Sequence, residues 1–261
     1  MTPKRQNLSI MTLNAWCGTA FDPLICFIKE QAYAIDVLCF QEVYSNQLGV
    51  FPHRLSGRTN LYQELEVALA ESHLGFFWPV LSGLGNGTGS WGQAMFVRHG
   101  LMFTDYGSRL VHGHPKGHVP HEGKTIPRNL AYVTLATPTG DTTIATWHGL
   151  WNGEGKTDTP ERISQSRSLV SILRELPGRL ILCGDFNLLP GTESLRIISL
   201  GLRDLISQFG ITNTRSEKHY AKSVRYADYI FTEPAIDVRA CAVIPAHEIS
   251  DHLPLVIEIT Y

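Results

Sequence analysis

Acidic, amide and histidine side chains recur along this chain at one kind of position, an end of a short apolar run. The run LSIMTLN ends in Asn14, and VLCFQE ends in Glu42. The other run ends carry Arg128, His148, Asp185, Asn187, Asp228, Asp251 and His252. Carboxylate and amide oxygens suit a hard divalent cation, and imidazoles suit proton transfer. The pattern therefore predicts a site that combines a bound cation with acid–base chemistry.

The elements that must position these residues are short strands. Apolar runs of four to eight residues are typical of buried strands. Residues 128–137 and 141–148 are separated by the turn TPTGD, which predicts a hairpin. Polar side chains clustered at strand ends indicate a site at one edge of packed sheets. If Asn14 and His252 serve one site, both ends of the chain belong to one fold, so we expect a single domain over residues 1–261.

Helices are expected between the strands. Two of them have clear starts: Asp22 before Pro23, and Thr159 before Pro160, are each a capping residue followed by proline at the first helical position. Apolar spacing and these starts predict helices over 22–35, 58–74, 160–176 and 192–200.

Two segments lack a regular pattern. The glycine-rich stretch 83–92 is expected to be a hairpin connection, with a substrate loop as the alternative. Residues 112–127 are expected to form a solvated loop, although a transition-metal site or a substrate-binding loop is the alternative. The second segment contains His112, His114, His118 and His121.

Composition bounds the class of protein. The 261 residues are 43% hydrophobic and 18% charged, as in ordinary globular proteins. A net charge of −2 argues weakly against high-affinity binding of duplex DNA, which usually needs a basic face. Five cysteines without a CxxC motif imply no disulfide framework. No apolar stretch reaches the roughly 18 residues of a membrane span, and no signal peptide is recognised. We expect a monomer in the reducing cytoplasm.

The order of the motifs resembles one known family. LNAW, QEV, a histidine at a strand end, GDFN, DYIF and SDH follow one another from Asn14 to His252. In this set and order they resemble the endonuclease/exonuclease/phosphatase superfamily, the DNase I-like metal-dependent phosphodiesterases. The resemblance covers nearly the whole chain. It implies an α+β fold, a four-layer α/β/β/α sandwich of two packed mixed β-sheets with outer helices.

The resemblance also implies a metal set. Glu42 stands where the family places its principal metal carboxylate. Asn14 and Asp251 are then supporting ligands, or partners of the ligands. Mg²⁺ is the expected ion, with Mn²⁺ as the alternative, because Mg²⁺ binds through one or two carboxylates and keeps several waters.

Catalytic roles follow in the same way. Asp185 would orient or deprotonate the attacking water, and Asn187 would hydrogen-bond a phosphate oxygen. His252 resembles the family's catalytic histidine, which donates to the phosphate as charge develops. Asp228 matches the residue that orients this histidine.

His148 and Arg128 are expected to bind phosphate. His148 matches the family's second histidine, and Arg128 matches an arginine that grips phosphate, a task for which the guanidinium fork is suited. The chain departs from DNase I here, because the strand WGQAMFVR lacks the acid that pairs with this histidine there. Phosphate binding is therefore favoured over a general-acid role for His148.

Four tryptophans lie near these residues, at Trp16, Trp91, Trp147 and Trp151. Their rings could stack on a base or hold a sugar or acyl group, or they could belong to the core.

Three functions remain. The first is a Mg²⁺-dependent phosphodiesterase that acts on DNA or RNA by in-line attack of an activated water. The second is a phosphatase or phospholipase C-type hydrolase of inositol phosphates or phospholipids. The third is a binding module that has lost catalysis, and retention of the whole residue set argues against it.

Overall fold

The computed structural model describes residues 7–46, 57–84, 87–114 and 126–260. Within these ranges the chain forms two six-stranded sheets. The strands in chain order are β1 Asn7–Asn14, β2 Val37–Ser45, β3 His73–Leu84, β4 Gly89–Arg98, β5 Phe103–His112, β6 Arg128–Thr137, β7 Gly140–His148, β8 Arg179–Asp185, β9 Arg203–Asp204, β10 Asp228–Thr232, β11 Asp237–Val243 and β12 Leu255–Thr260.

Both sheets are mixed and are built alike. The first has the order β11-β12-β1-β2-β4-β3, and the second has the order β5-β6-β7-β8-β10-β9. Each contains one parallel pair, β1 with β2 and β7 with β8, and its other neighbours run antiparallel. Parallel strands end at the same edge of a sheet, so each sheet brings two strand ends together there.

The central strands bury both faces. In β1, Leu8 and Ile10 face the core between the sheets, whereas Met11 and Leu13 belong to a second core. This division follows from the alternation of side chains along a strand. Burial on both faces explains why β1 and β2 are almost continuously apolar in sequence.

Helices cover the outer faces. They are α1 Phe21–Gln31, α2 Leu61–Leu69, α3 Pro160–Leu173, α4 Glu193–Ser199 and α5 Leu205–Gln208. Buried leucines at four-residue spacing, such as Leu61, Leu65 and Leu69, place α2 against the first sheet. On the second sheet, α3 packs beside α4 and contacts β5. The expected four-layer sandwich is confirmed.

Capping explains which helix predictions were accurate. Thr159 Oγ1 accepts a hydrogen bond from Arg162 N at 3.3 Å, and Pro160 is the first residue of α3, as predicted. The helix predicted over 22–35 is α1 Phe21–Gln31: its N-cap is Ala20 rather than Asp22, and it ends four residues earlier than predicted. The helix predicted over 58–74 is shorter because the chain already enters β3 at His73.

Most of the missed elements are edge strands. The hairpin of β6 and β7 is confirmed, but β3, β5, β9, β11 and the short helix α5 were not predicted. The four strands lie at sheet edges, where Pro, Gly and exposed polar residues are tolerated and weaken the pattern. The glycine-rich stretch 83–92 lies, as expected, where β3 and β4 join as an antiparallel hairpin, although both strands extend into it and residues 85–86 are outside the described ranges.

Three further expectations concern the histidine-containing segment 112–127, the cysteines and membrane spans. His112 is the last residue of β5, while His118 and His121 lie outside the described residues. All five cysteines are free thiols. Within the described ranges, no helix combines the length and the apolar character that a membrane crossing requires.

Candidate active site

Strand register brings the predicted side chains to one edge of the two sheets. In the parallel pair β7–β8, His148 is the register partner of Asp185, and Asp228 at the start of β10 faces Asp185 from the other side. In the first sheet, Asn14 pairs with Gln41, one residue before Glu42. The convergence is therefore a consequence of pairing between strands far apart in sequence.

Asp185 lies at the centre of this group and is 1% exposed. Its Oδ2 accepts a hydrogen bond from Asn14 Nδ2 at 3.0 Å. The same oxygen lies 3.6 Å from His148 Nε2 and 3.5 Å from His252 Nε2. Burial acts to raise the pKa of Asp185, but the positive charges around it, first that of His252 and then those of Arg215 and Lys156, outweigh burial and hold the pKa well below its ordinary value. Asp185 is thus an ionised acceptor at neutral pH.

Asn14 joins the two candidate carboxylates. Besides its bond to Asp185, Nδ2 donates to Glu42 Oε1 at 3.1 Å. The amide oxygen is turned away and accepts from Trp16 N at 2.9 Å, which fixes the orientation of the amide. In this arrangement the Asn14 amide nitrogen binds both carboxylates, while its oxygen is directed at the backbone.

Glu42 occupies an irregular position in β2. The β2–β4 register shifts between Phe40 and Val43, and Glu42 has a φ of 55°. Such strain at a bulge redirects a side chain and is common beside functional sites. Burial, and to a smaller extent the charge of Asp251, raises the pKa of Glu42. A cation bound here would relieve that cost.

A metal ion fits one set of donors. Single ligand atoms of Glu42, His148 and Asp185 all lie within 4.8 Å of one another. Two carboxylates match the preference of Mg²⁺ for a few charged oxygens. The side chains of Asp185, Asp228 and His252 lie equally close together. In that second set His252 Nδ1 and Asp228 are already bound to each other, so Glu42 and Asp185 are the carboxylates that best fit a metal ion.

His252 and Asp228 form a buried pair. His252 Nδ1 lies 2.9 Å from both carboxylate oxygens of Asp228, which leaves Nε2 directed at Asp185. Thr214 Oγ1 donates to Asp228 Oδ2 at 2.8 Å and helps to fix the acid. Burial and the charge of Arg215 act to lower the pKa of His252, but the surrounding carboxylates, first Asp228, outweigh them and raise the pKa. The surroundings therefore favour the imidazolium form, which can donate from Nε2.

His148 has a different environment. Its Nε2 lies 3.7 Å from Glu42 Oε1, but its buried Nδ1 has no hydrogen-bond partner in the part of the chain that the structure describes. On β4, the strand that lacks an acid to pair with His148, the amide nitrogen of Gln93 donates to Asn129 rather than to His148. Burial, followed by the charge of Arg128, lowers the pKa of His148 well below its ordinary value. This imidazole is neutral at pH 7.

Arg128 and Asn187 complete the predicted set. Arg128 is 3% exposed, and its Nε and Nη1 have no partners among the described residues. Burial lowers its pKa to about 10, so the guanidinium stays charged at neutral pH. Asn187, with a φ of 52°, donates its backbone N to Asp185 Oδ1 at 2.9 Å. A buried guanidinium with two N–H groups that bind no other described residue suits an oxyanion of phosphate.

Two cations at the site were missed by sequence reasoning. Lys156 Nζ donates to Tyr226 O at 2.9 Å, and burial lowers its pKa to about 8. Arg215 Nη1 forms an ion pair with Asp251 Oδ2 at 2.8 Å. Lys156 lies in a glycine-containing loop, and Arg215 reaches the site through a single β-bridge to His252. Neither position has a pattern that would reveal it.

These side chains line a cavity of about 730 Å³. One wall is apolar, and its side chains are buried: Tyr44, Leu81, Leu84 and Trp91. The other wall carries aromatic and cationic side chains: Trp16, Trp151, Lys156, Arg215, Tyr220 and Lys222. A concave site with a few convergent polar groups is typical of a small-molecule or terminal-group pocket.

The fold and this site define a class of protein, and sequence comparison agrees. Residues 11–252 match the sequence model of the Endonuclease/Exonuclease/phosphatase family, and the chain belongs to that family. Membership supports phosphoester hydrolysis in general as the activity. A comparison with curated proteins finds no match.

Solved structures share the fold at low sequence identity. An endonuclease/exonuclease/phosphatase from Beutenbergia cavernae is 22% identical, with a TM-score of 0.70 over 98% of this chain and 72% of that one. The human Nocturnin catalytic domain with bound sulfate is 21% identical, with a TM-score of 0.69 over 98% and 93%. A mannosyl-6-phosphatase from Bacteroides thetaiotaomicron is 17% identical, with a TM-score of 0.69 over 97% and 100%.

Proposed function

We propose that this chain is a divalent-metal-dependent hydrolase that cleaves phosphodiesters of nucleic acid by in-line attack of a water. The observation that carries the proposal is the position of Asp185, ionised and held between two histidines beside Glu42. An acid, a donor cation and a candidate metal site around one small volume are what phosphoryl transfer requires.

The metal would be held by Glu42 and Asp185, with Asn14 fixing both carboxylates and Asp251 nearby. Mg²⁺, or Mn²⁺ in its place, supplies Lewis acidity and neutralises charge on the phosphate. The ion pair of Asp251 with Arg215 favours a supporting role for this acid rather than a principal one.

Side chains of the protein would accept the proton of the attacking water and offset the negative charge that develops on the phosphate. Asp185, kept ionised by its low pKa, orients the attacking water through a hydrogen bond, and it takes up the proton as the new P–O bond forms and makes that water acidic. His252, held by Asp228, donates from Nε2 to a phosphate oxygen as negative charge builds up. Asn187 and His148 add neutral hydrogen bonds, and Arg128 adds a charged one.

A phosphomonoesterase is the second candidate. The mannosyl-6-phosphatase has the same fold, so the fold does not separate the two reactions. The buried cations Arg128, Lys156 and Arg215 would also suit the extra charge of a monoester. Hydrolysis of inositol phosphates or of phospholipid headgroups belongs to the same alternative. A binding module without catalysis is the third, and the intact site argues against it. Free thiols at all five cysteines favour a reducing, cytoplasmic setting, and we propose a monomer.

The test is a substrate panel with Mg²⁺: single- and double-stranded DNA, RNA, inositol phosphates, sphingomyelin and bis-p-nitrophenyl phosphate. Excess EDTA should abolish turnover, and Mg²⁺ or Mn²⁺ should restore it. Glu42→Gln keeps the shape of the side chain but removes its charge, so it should raise the metal concentration needed for half-maximal activity. Glu71→Gln, at an exposed position outside the pocket, is the control. Full activity in EDTA would contradict the proposal, and preference for a monoester would favour the second candidate.

A further inference from the structure

Six of the residues that line the pocket are aromatic or cationic: Trp16, Trp151, Lys156, Arg215, Tyr220 and Lys222. We name these six residues the cation–aromatic rim. Lys222 Nζ lies 5.7 Å from the ring centre of Trp151. Arg215 and Lys156 lie 4.4 Å and 5.8 Å from the ring centre of Tyr220. Each of the three cations therefore lies near the face of an aromatic ring.

The rim extends from buried cations to solvent. Lys156 and Arg215 are buried, Trp16 and Tyr220 are half-buried, and Lys222 and Trp151 are exposed, Trp151 to 41%. Trp147, four residues earlier, is 1% exposed and belongs to the core. The exposed part of the Trp151 indole, unlike the Trp147 ring, is therefore accessible to a ligand in the pocket.

The combination discriminates between ligand classes. An inositol phosphate needs cations but offers no aromatic face. A choline headgroup favours an aromatic cage, and nearby lysines would repel it. A nucleotide offers both a base that stacks on a ring and a phosphate that pairs with a cation. The rim therefore fits nucleic acid best.

The same geometry discriminates between nucleic-acid forms. In a duplex each base is stacked and paired, so its face reaches an aromatic side chain only after it is flipped out at a cost. In a single strand the bases are free to stack on protein rings. A net charge of −2 gives the whole chain no general attraction for duplex phosphates.

We propose that the cation–aromatic rim is a binding platform for single-stranded nucleic acid, with a base stacked on Trp151 and the adjoining phosphate held by Lys156 and Lys222. This inference rests on the proposed function and narrows its substrate to single strands or unpaired ends, of DNA or of RNA.

Binding is measured without catalysis, in EDTA, by fluorescence anisotropy of a labelled oligonucleotide. The single strand should bind roughly tenfold or more tightly than a duplex of the same sequence, because only its bases can stack. Trp151→Ala should lower affinity roughly tenfold, and Trp151→Phe should recover much of the loss. Tyr33→Ala removes an aromatic ring that is 88% exposed and lies outside the pocket, so it is the matched control.

The charge contribution is tested by salt dependence. Lys222→Met should reduce the slope of log affinity against log salt by about 0.7, the value for one phosphate contact on a single strand. Lys29→Met, at an exposed position on α1, should leave the slope unchanged. Thermal melts of each variant confirm folding. DNA and RNA strands of one sequence distinguish the two sources of the ligand.

The outcomes separate the platform from the proposed function. Equal affinity for strand and duplex, or unaltered binding by Trp151→Ala, would overturn the platform even if nucleic acid is hydrolysed. Tight binding to single strands without cleavage of them, with hydrolysis of inositol phosphates instead, would support the platform and overturn the proposed nuclease function. Absence of any oligonucleotide binding would overturn the platform, and bis-p-nitrophenyl phosphate hydrolysis would show whether catalysis persists.

Discussion

The two histidines that flank Asp185 have opposite surroundings. His252 has an acid on Nδ1, in Asp228, and its pKa is raised. His148 has no partner on Nδ1 among the described residues, and its pKa is lowered by burial and by Arg128. Both direct Nε2 at the same carboxylate oxygen, at 3.5 Å and 3.6 Å.

The contrast shows that the partner on the far nitrogen decides the role of an imidazole. A carboxylate on Nδ1 stabilises the imidazolium and fixes the ring, as in the general logic of a base held by a third group. Without it, burial penalises the charge and leaves a neutral donor or acceptor. We therefore expect His252 to act by charge and His148 by hydrogen bonding.

The largest effects should come from the charged side of this comparison. His252→Ala and Asp185→Asn should each lower the rate by about 10²–10⁴-fold, the range for a positioned acid–base or electrostatic group. The measurement is the hydrolysis rate of the best substrate under saturating Mg²⁺. His99→Ala, at an exposed position outside the pocket, is the control. If either variant keeps more than about a tenth of the wild-type rate, the assigned role is wrong.

Asp228→Asn should have an intermediate effect, because the amide can still accept from His252 Nδ1 but no longer stabilises its charge. The pair should also behave as a unit. The double variant Asp228→Asn/His252→Ala should then be no slower than His252→Ala alone, since Asp228 has nothing left to orient. Additive losses would mean that Asp228 acts on the reaction independently of His252.

A smaller loss is expected at His148. If it only donates a hydrogen bond to phosphate, His148→Gln should retain much more activity than His148→Ala, because the amide can still donate. Loss of one such neutral bond is typically worth about 0.5–1.5 kcal/mol, or roughly 2–13-fold in rate. Equal losses in the two variants would contradict a donor role.

Leaving-group dependence sharpens the comparison at His148. A donor to phosphate predicts that His148→Ala slows a p-nitrophenyl ester and an alkyl ester to a similar extent. A general acid predicts that the p-nitrophenyl ester is largely spared, since that leaving group needs no proton. Selective sparing of the p-nitrophenyl ester would mean that His148 is a general acid. His148 would then need a proton source, and β4 has no acid that could supply one.

From the sequence, the residues of the candidate site could be predicted in more detail than the strands and helices around them. Strands with both faces buried, such as β2 and β8, have continuous apolar runs, so the polar residues at their ends could be recognised. The edge strand β3 contains Pro79, two glycines and three partly exposed aromatic residues, and its pattern is too weak to identify. Motif order supplied the family and the candidate roles.

What sequence reasoning could not supply is contact between distant segments. Lys156 and Arg215 enter the site from loops whose position depends on tertiary packing. The orientation of the Asn14 amide depends on a bond from Trp16 N, and no spacing rule predicts it. The pKa contrast between the histidines depends on burial and charge together, which only three-dimensional neighbours determine.

The smallest expected effect, and the most direct test of the contrast, is on the pH dependence of stability of the metal-free protein in EDTA. An unfolded histidine titrates near a pKa of about 6.5. Below that pH the histidine of the unfolded chain binds a proton, whereas folded His148, with its lowered pKa, stays neutral. His148 therefore makes stability fall as pH decreases from about 6.5. Above that pH folded His252 keeps a proton that the unfolded chain has lost, so His252 makes stability fall as pH rises through its raised folded pKa.

Urea unfolding of wild type, His148→Gln and His252→Gln over a range of pH measures the contributions of both histidines to this pH dependence. His148→Gln should flatten the acid side of the stability profile, and His252→Gln should flatten the side above about pH 6.5, each by at most about 1.4 kcal/mol per pH unit for a single proton. If both variants flatten the same side, the two histidines titrate alike, and the distinction between a charged and a neutral imidazole at Asp185 is wrong.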